Sequence, residues 1–144
     1  MGGWPILYVM ARILIVDDDE VTRLILGQIL QDGGHEVTYA GDGDAALSAH
    51  RIGNFELVIT DLAMPARNGL RLIQDLRALD EGFPIIAMSG TNADQLQMAE
   101  DFGANAVLYK PLSVDMVLGA VNRLLSDASP DIWAQSLGLR SHGV

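Results

Sequence analysis

The chain has 144 residues, 49% hydrophobic and 19% charged, with a net charge of −10 and a pI near 4.4. That length holds one domain with a full core and is short for two, and the globular balance excludes disorder for the bulk of the chain. The acidity argues against nucleic acid as a partner, the lack of cysteine removes disulfides and thiolate metal sites, and no run reaches the ~18 apolar residues that span a bilayer, so a cytoplasmic protein is expected.

Residues 1–11, MGGWPILYVMA, match nothing that follows and are set apart as an N-terminal extension. They lack a basic leader and a convincing cleavage site, so a signal peptide is rejected. Met10 before Ala11-Arg12-Ile13-Leu14 reads like a natural start. Residues 1–9 are then either an addition ahead of it or an apolar arm that packs on the domain or on a second copy.

Ile13-Leu14-Ile15-Val16 is an unbroken apolar run, as in a parallel strand covered on both faces, and it ends in Asp17-Asp18-Asp19-Glu20. An amphipathic helix follows, with Val21, Leu24, Ile25 and Ile29 at helical spacing and Gly33-Gly34 as its stop. Glu36 to Ala40 reads as a second strand, and Asp42 as the N-cap of a helix from Gly43 to about Arg51. Leu57-Val58-Ile59-Thr60 then runs straight into Asp61, and the chain breaks at Met64-Pro65.

After Gly69 a third helix places Leu72, Ile73, Leu76 and Leu79 on one face. Pro84 to Met88 is the fourth strand, ending at Ser89-Gly90. Asn92 with Gln95 resembles a capping box for a fourth helix, whose stripe is Leu96, Ala99 and Phe102 and whose end is Gly103. Ala106 to Tyr109 is the fifth strand, stopping at Lys110-Pro111. Ser113 caps a fifth helix with Val114, Val117, Leu118, Val121, Leu124 and Leu125 on one side.

Strand and helix alternate five times, which predicts parallel βαβ units, right-handed crossovers and a three-layer α/β sandwich. Ligands bind such sheets beyond the carboxyl ends of the strands. Those ends carry Asp17-Asp18, Asp61, Ser89 and Lys110. Singly, each has an ordinary explanation: acids before a helix favour its dipole, a serine closes a turn, a lysine sits on the surface. Their joint placement at one sheet edge outweighs those explanations.

Carboxylates gathered within several ångströms repel by a few kcal/mol at an effective dielectric of about 20, so the cluster must protonate or bind a cation. Mg2+ prefers such all-oxygen ligation, with Mn2+ as a substitute. An open metal site with a spare carboxylate suits phosphoryl transfer, the carboxylate serving as nucleophile to give an acyl phosphate. Lys110 would counter the phosphoryl oxygens, and the Ser89 hydroxyl would donate to one of them.

The motifs Ile-Leu-Ile-Val-Asp17-Asp18, Asp61-Leu-Ala-Met-Pro65 followed by Gly69, Ser89-Gly90 and Lys110-Pro111 resemble a bacterial response-regulator receiver domain of the chemotaxis-Y type. The likeness covers residues 12 to about 127 and leaves 128–144 as a tail. It implies a five-stranded parallel sheet in the order 2-1-3-4-5 with five helices. It also implies Asp61 as phospho-acceptor from a histidine kinase or histidine phosphotransfer protein. The Mg2+ would be held by Asp18, Asp61 and the Ala63 backbone carbonyl, with Asp17 acting mainly through water, and Lys110-Pro111 would be cis. A module of this kind catalyses only its own phosphorylation and dephosphorylation, and it signals by switching protein contacts. A homodimer through the fourth helix, fifth strand and fifth helix, or through the terminal extensions, is a further expectation.

One position departs from the family. Where an aromatic on the fifth strand follows the serine or threonine on activation, this chain has Val107. Tyr109 shares that face, and the relay role is not transferred to it.

A different chemistry also fits the opening. Asp17-Asp18-Asp19-Glu20-Val21 matches the D-x-D-x-[TV] start of haloacid-dehalogenase-like phosphatases, with Asp17 as nucleophile. That reading leaves Asp61-Leu-Ala-Met-Pro65 unexplained, lacks the later acidic pair and has no room for a cap domain.

His35, His50 and His142 are scattered, and are expected to be satisfied or exposed rather than ligands. Ser129-Pro130-Asp131 signals a short helix over 130–137, with Ile132, Trp133 and Leu137 on one side; it would pack back on the domain, stay disordered or dock a partner. Seventeen residues beyond Asp127 cannot form an output domain, so a stand-alone receiver is expected, either an endpoint or a relay.

Overall fold

The structure is a computed structural model that describes residues 10–64, 68–90 and 93–127. Five strands, β1 (Arg12–Val16), β2 (Glu36–Ala40), β3 (Leu57–Asp61), β4 (Ile85–Ser89) and β5 (Ala106–Tyr109), form one parallel sheet in the order β2-β1-β3-β4-β5. Between and after them lie α1 (Glu20–Asp32), α2 (Gly43–Ile52), α3 (Gly69–Leu79), α4 (Ala93–Phe102) and α5 (Val114–Asp127).

Strand side chains alternate between the two faces, so each apolar run feeds two cores. Leu14, Val16, Val58, Ile85 and Ala87 pack with Leu47, Leu72, Ile73, Leu76 and Leu96 from α2, α3 and α4. Ile13, Ile15, Leu57, Ile59, Ile86 and Met88 pack with Leu26, Leu30, Val117, Val121 and Leu125 from α1 and α5. Each fully buried Leu or Ile contributes about 1.5–3 kcal/mol. The three central strands are thereby pinned at both faces, and a one-residue slip would exchange the two cores.

Helix ends follow side-chain chemistry. Asp42 accepts from the Ala45 amide at 2.8 Å and Ser113 from the Met116 amide at 3.2 Å, as expected of N-caps. Gly103 ends α4 at φ 119°, a left-handed conformation that favours glycine.

The expected apolar stripes are too broad at three places. On α1, Val21, Leu24 and Ile25 are exposed, and the helix buries Leu26, Gly27, Ile29 and Leu30 instead. Six apolar positions crowd a helix that presents only one side to the sheet, and the set starting one residue later won. Leu79 at the end of α3 and Val114 at the start of α5 are likewise exposed. Each sits at a helix end, Leu79 as the last residue of α3 and Val114 as the first of α5.

The Asn92 capping box, Pro65, residues 1–9 of the extension expected at 1–11, His142 and the proposed helix at 130–137 lie outside the described residues, while Ala11 of that extension is buried in the core with Ile13 and Ile15. His35 is buried, and its Nδ1 accepts the Ala11 amide at 3.1 Å. The ring of His50 meets Phe83 edge-on at 4.7 Å, and its buried Nδ1 has no hydrogen-bond partner among the described residues, unlike the satisfied or exposed histidine expected there. Among the described residues, no helix is long and apolar enough to cross a membrane.

Candidate functional site

Register sets the acidic edge of the sheet. Val16 of β1 lies opposite Thr60 of β3, so the next residues, Asp17 and Asp61, leave the sheet side by side. Carboxylate oxygens of Asp17, Asp18 and Asp61 come within 4.8 Å of one another. Asp17 and Asp61 are 1% and 5% exposed, whereas Asp18 faces solvent. Lys110, the first residue past β5, reaches back across the edge: its Nζ lies 3.1 Å from Asp61 Oδ1 and 3.3 Å from Asp17 Oδ2. The Lys110-Pro111 peptide is cis.

The backbone around these groups is held from several sides. The Asp17 amide donates to the Ala40 carbonyl at 3.1 Å, and Asp17 Oδ1 accepts the Asp19 amide at 2.9 Å. Asp19 caps α1, accepting from the Thr22 amide at 3.2 Å and its hydroxyl at 2.6 Å. The Thr22 hydroxyl bond leads in holding the Asp19 carboxyl below its ordinary range. Beyond β3, Asn68 caps α3 through the Arg71 amide, and the Gly69 amide donates to the Leu62 carbonyl at 3.1 Å. A Cβ on Gly69 would collide with the Asp61 carbonyl oxygen and approach Leu62 Cα to 2.7 Å. Only glycine lets α3 start this close to the acidic strand end.

Two carboxylates at such a separation repel by about 3 kcal/mol at an effective dielectric of about 20. Burial pushes the Asp61 carboxyl above its ordinary value, the charge of Asp17 pushes it further, and the hydrogen bond from Lys110 opposes without cancelling. For Lys110 burial alone would lower the ammonium, but the bond to Asp61 and the charges of Asp61 and Asp17 override it and raise it. The lysine is therefore charged, and one lysine leaves the cluster short of positive charge.

The donor set fits a hard divalent cation: three carboxylates supply oxygens, and the solvent-facing Asp18 leaves one side open to water. The two other expected site residues lie along the same edge. Ser89, the last residue of β4, is buried and in register with Tyr109, and Ala63 is exposed two residues past Asp61. Val107 is half-buried against the core beneath α4, and Tyr109 is 53% exposed. Asp17 Oδ1 accepts the Asp19 amide and Asp17 Oδ2 meets Lys110, so this carboxylate is tied both to its own loop and to the end of β5.

Three contributors escaped the sequence reading. Asp19 and Asn68 are helix caps, and the side-chain oxygen ahead of each helix was the available signal. Arg23 donates from Nη1 to the Asp17 carbonyl at 2.8 Å. A bond to a backbone carbonyl leaves no pattern in the sequence.

The family model of the response regulator receiver domain matches residues 13–122. A response regulator receiver protein of Anaeromyxobacter is 39% identical over 110 residues, covering 76% of this chain and 46% of its own length. The response regulator MprA of Mycobacterium bovis is 31% identical over 130 residues, covering 90% and 56%. The chain thus spans about half the length of the curated relatives it matches. Among solved structures, the chemotaxis protein CheY4 of Vibrio cholerae superposes with a TM-score of 0.75 at 31% identity, covering 81% of this chain and 99% of its own. NtrX of Brucella abortus gives a TM-score of 0.81 at 29% identity, covering 94% and 31%. Sequence match and fold agree: the chain belongs to the response regulator receiver domain family, the phospho-accepting signalling modules of two-component systems.

Proposed function

We propose that Asp61 is the phospho-acceptor, taking a phosphoryl group from the phosphohistidine of a sensor kinase or histidine phosphotransfer protein. The observation that carries this is the single ammonium of Lys110 lying 3.1 Å from Asp61 Oδ1 at an edge where three carboxylates meet. An Asp61 carboxylate oxygen attacks phosphorus, the bond from phosphorus to the donor imidazole nitrogen breaks, and the electron pair leaves with the imidazole. Lys110 neutralises charge on the phosphoryl oxygens, and the Ser89 hydroxyl donates to one of them. Asp17, Asp18, Asp61 and the Ala63 carbonyl would hold Mg2+, or Mn2+ in its place. When bound, the ion neutralises and orients the phosphoryl group. The chain's own catalysis is confined to gaining and losing this group, and it works in the cytoplasm.

Surfaces beside the site support partner docking. Val21, Leu24 and Ile25 expose apolar side chains on α1, the helix that starts at the acidic loop, and offer a donor protein a contact next to Asp61. On the far side β5 is an edge strand, flanked by exposed Met98, Tyr109, Val114 and Met116. That face of α4, β5 and α5 would receive a downstream protein or a second copy.

Incubation with a phosphorylated histidine phosphotransfer protein and Mg2+ tests the assignment. Wild type is expected to become labelled and Asp61→Asn to lose at least ~100-fold in transfer rate. Undiminished labelling of Asp61→Asn would refute it.

A further inference from the structure

We infer that Arg23 is a positioning residue for the metal-binding carboxylates, acting through the Asp17 peptide; this rests on the Mg2+ site proposed above. Asp17 is the hinge of the acidic loop. Its amide is fixed by the Ala40 carbonyl, and its side chain by the Asp19 amide and Lys110. The remaining group is its carbonyl, which belongs to the peptide that carries Asp18. Arg23 closes that gap, donating from Nη1 to the Asp17 carbonyl at 2.8 Å.

The arginine is itself well placed to hold still. Its amide donates to the Asp19 carbonyl at 3.1 Å in the first turn of α1, so the same residue ties both ends of the loop. Its guanidinium lies against Gly41, just past β2, where an added Cβ would come 3.4 Å from Nη1. The result is a tie from the first turn of α1 to the Asp17 peptide, made alongside the turn after β2. Fixing that peptide fixes the direction in which Asp18, the solvent-facing ligand, leaves the chain. Groups that orient metal ligands in this way typically matter by 10–100-fold in affinity, about an order of magnitude at the low end.

Charge and position make opposite predictions, which separates them. Arg23 is a cation close to a site that would bind another cation, so deleting its charge alone would tighten Mg2+ binding. Deleting the tie loosens it. Mg2+ affinity is measured by calorimetry, with the Asp18 amide shift in NMR spectra as an independent readout, on variants whose circular dichroism matches wild type. Arg23→Ala is expected to weaken Mg2+ binding about 10-fold. Arg23→Lys, which keeps a donor long enough to reach the carbonyl, is expected to stay within about 3-fold of wild type. Arg51→Ala, which removes an exposed positive charge from α2, leaves the affinity unchanged. Wild-type or tighter binding by Arg23→Ala, or equal loss in the alanine and lysine variants, would overturn the inference. Failure of wild type to bind Mg2+ at all would instead remove the metal site on which it rests.

Discussion

At the amino-terminal edge of the sheet, the Arg77 guanidinium donates to the carbonyls of Asp80, Glu81, Phe83 and Gly103 and to Asn105 Oδ1, at 2.6–3.1 Å. At the carboxyl-terminal edge, the Lys110 ammonium meets two buried carboxylates and a third nearby. At both edges a cationic side chain meets several acceptors at once. The first bonds it directly to neutral acceptors, with the charges of Asp80 and Glu81 nearby; the second sets it directly against an excess of carboxylates. One arrangement ties the α3–β4 and α4–β5 turns together, and the other gathers more negative charge than its lysine offsets. The same fold thus separates stability from chemistry by about the length of a strand.

Deleting each cation's setting would expose the contrast. The largest stability effect is expected from Arg77→Ala, which strips donors from carbonyls on two turns at once and lowers unfolding free energy by about 3 kcal/mol. Its phosphorylation rate, measured at a temperature where the variant is folded, stays at the wild-type level. A large drop in that rate would show that the two edges are not independent. Asp61→Asn is expected to do the reverse. It removes a buried charge that repels Asp17, so without divalent metal it raises unfolding free energy by about 1 kcal/mol in denaturant titrations, while phosphoryl acceptance is lost. A variant less stable than wild type would mean that the bond to Lys110 outweighs the repulsion.

The smallest effect concerns His35. Burial holds its imidazole below the ordinary 6.5, and a hydrogen bond with Asn122 opposes that only in part. As pH falls below about 6.5 the unfolded chain takes up a proton that the folded chain refuses, so this contribution to stability is complete above that pH and shrinks below it. His35→Gln is expected to flatten the acid limb of a melting-temperature profile below about pH 6.5. An unchanged slope would place the acid sensitivity elsewhere.

The two edges were also unequally legible. Asp17, Asp18, Asp61, Ser89 and Lys110 could be read because each closes or follows an apolar run, and the sheet needs those runs to be continuous. Chain order and type of all ten elements followed from apolar runs and helical stripes together with cap and glycine signals such as Asp42 and Gly103. Arg77 and Arg23 could not be read, because their partners are backbone carbonyls, which every residue supplies. Val21, Leu24 and Ile25 were misassigned to the core for a related reason: periodicity marks an apolar face but not which part of a broad face meets the sheet. Val107 could be seen to break the aromatic pattern, and it packs half-buried beneath α4, without an aromatic ring to move.

The central claim is that chemistry occurs on Asp61 and that Asp17 serves it. The most direct measurement is to phosphorylate wild type, Asp61→Asn and Asp17→Asn with acetyl phosphate and Mg2+ and to locate the modified residue by peptide mass mapping. A single phosphoryl group is expected on Asp61 in wild type, none in Asp61→Asn, and slower labelling still on Asp61 in Asp17→Asn. A phosphoryl group on Asp17 that persists in Asp61→Asn would contradict the claim.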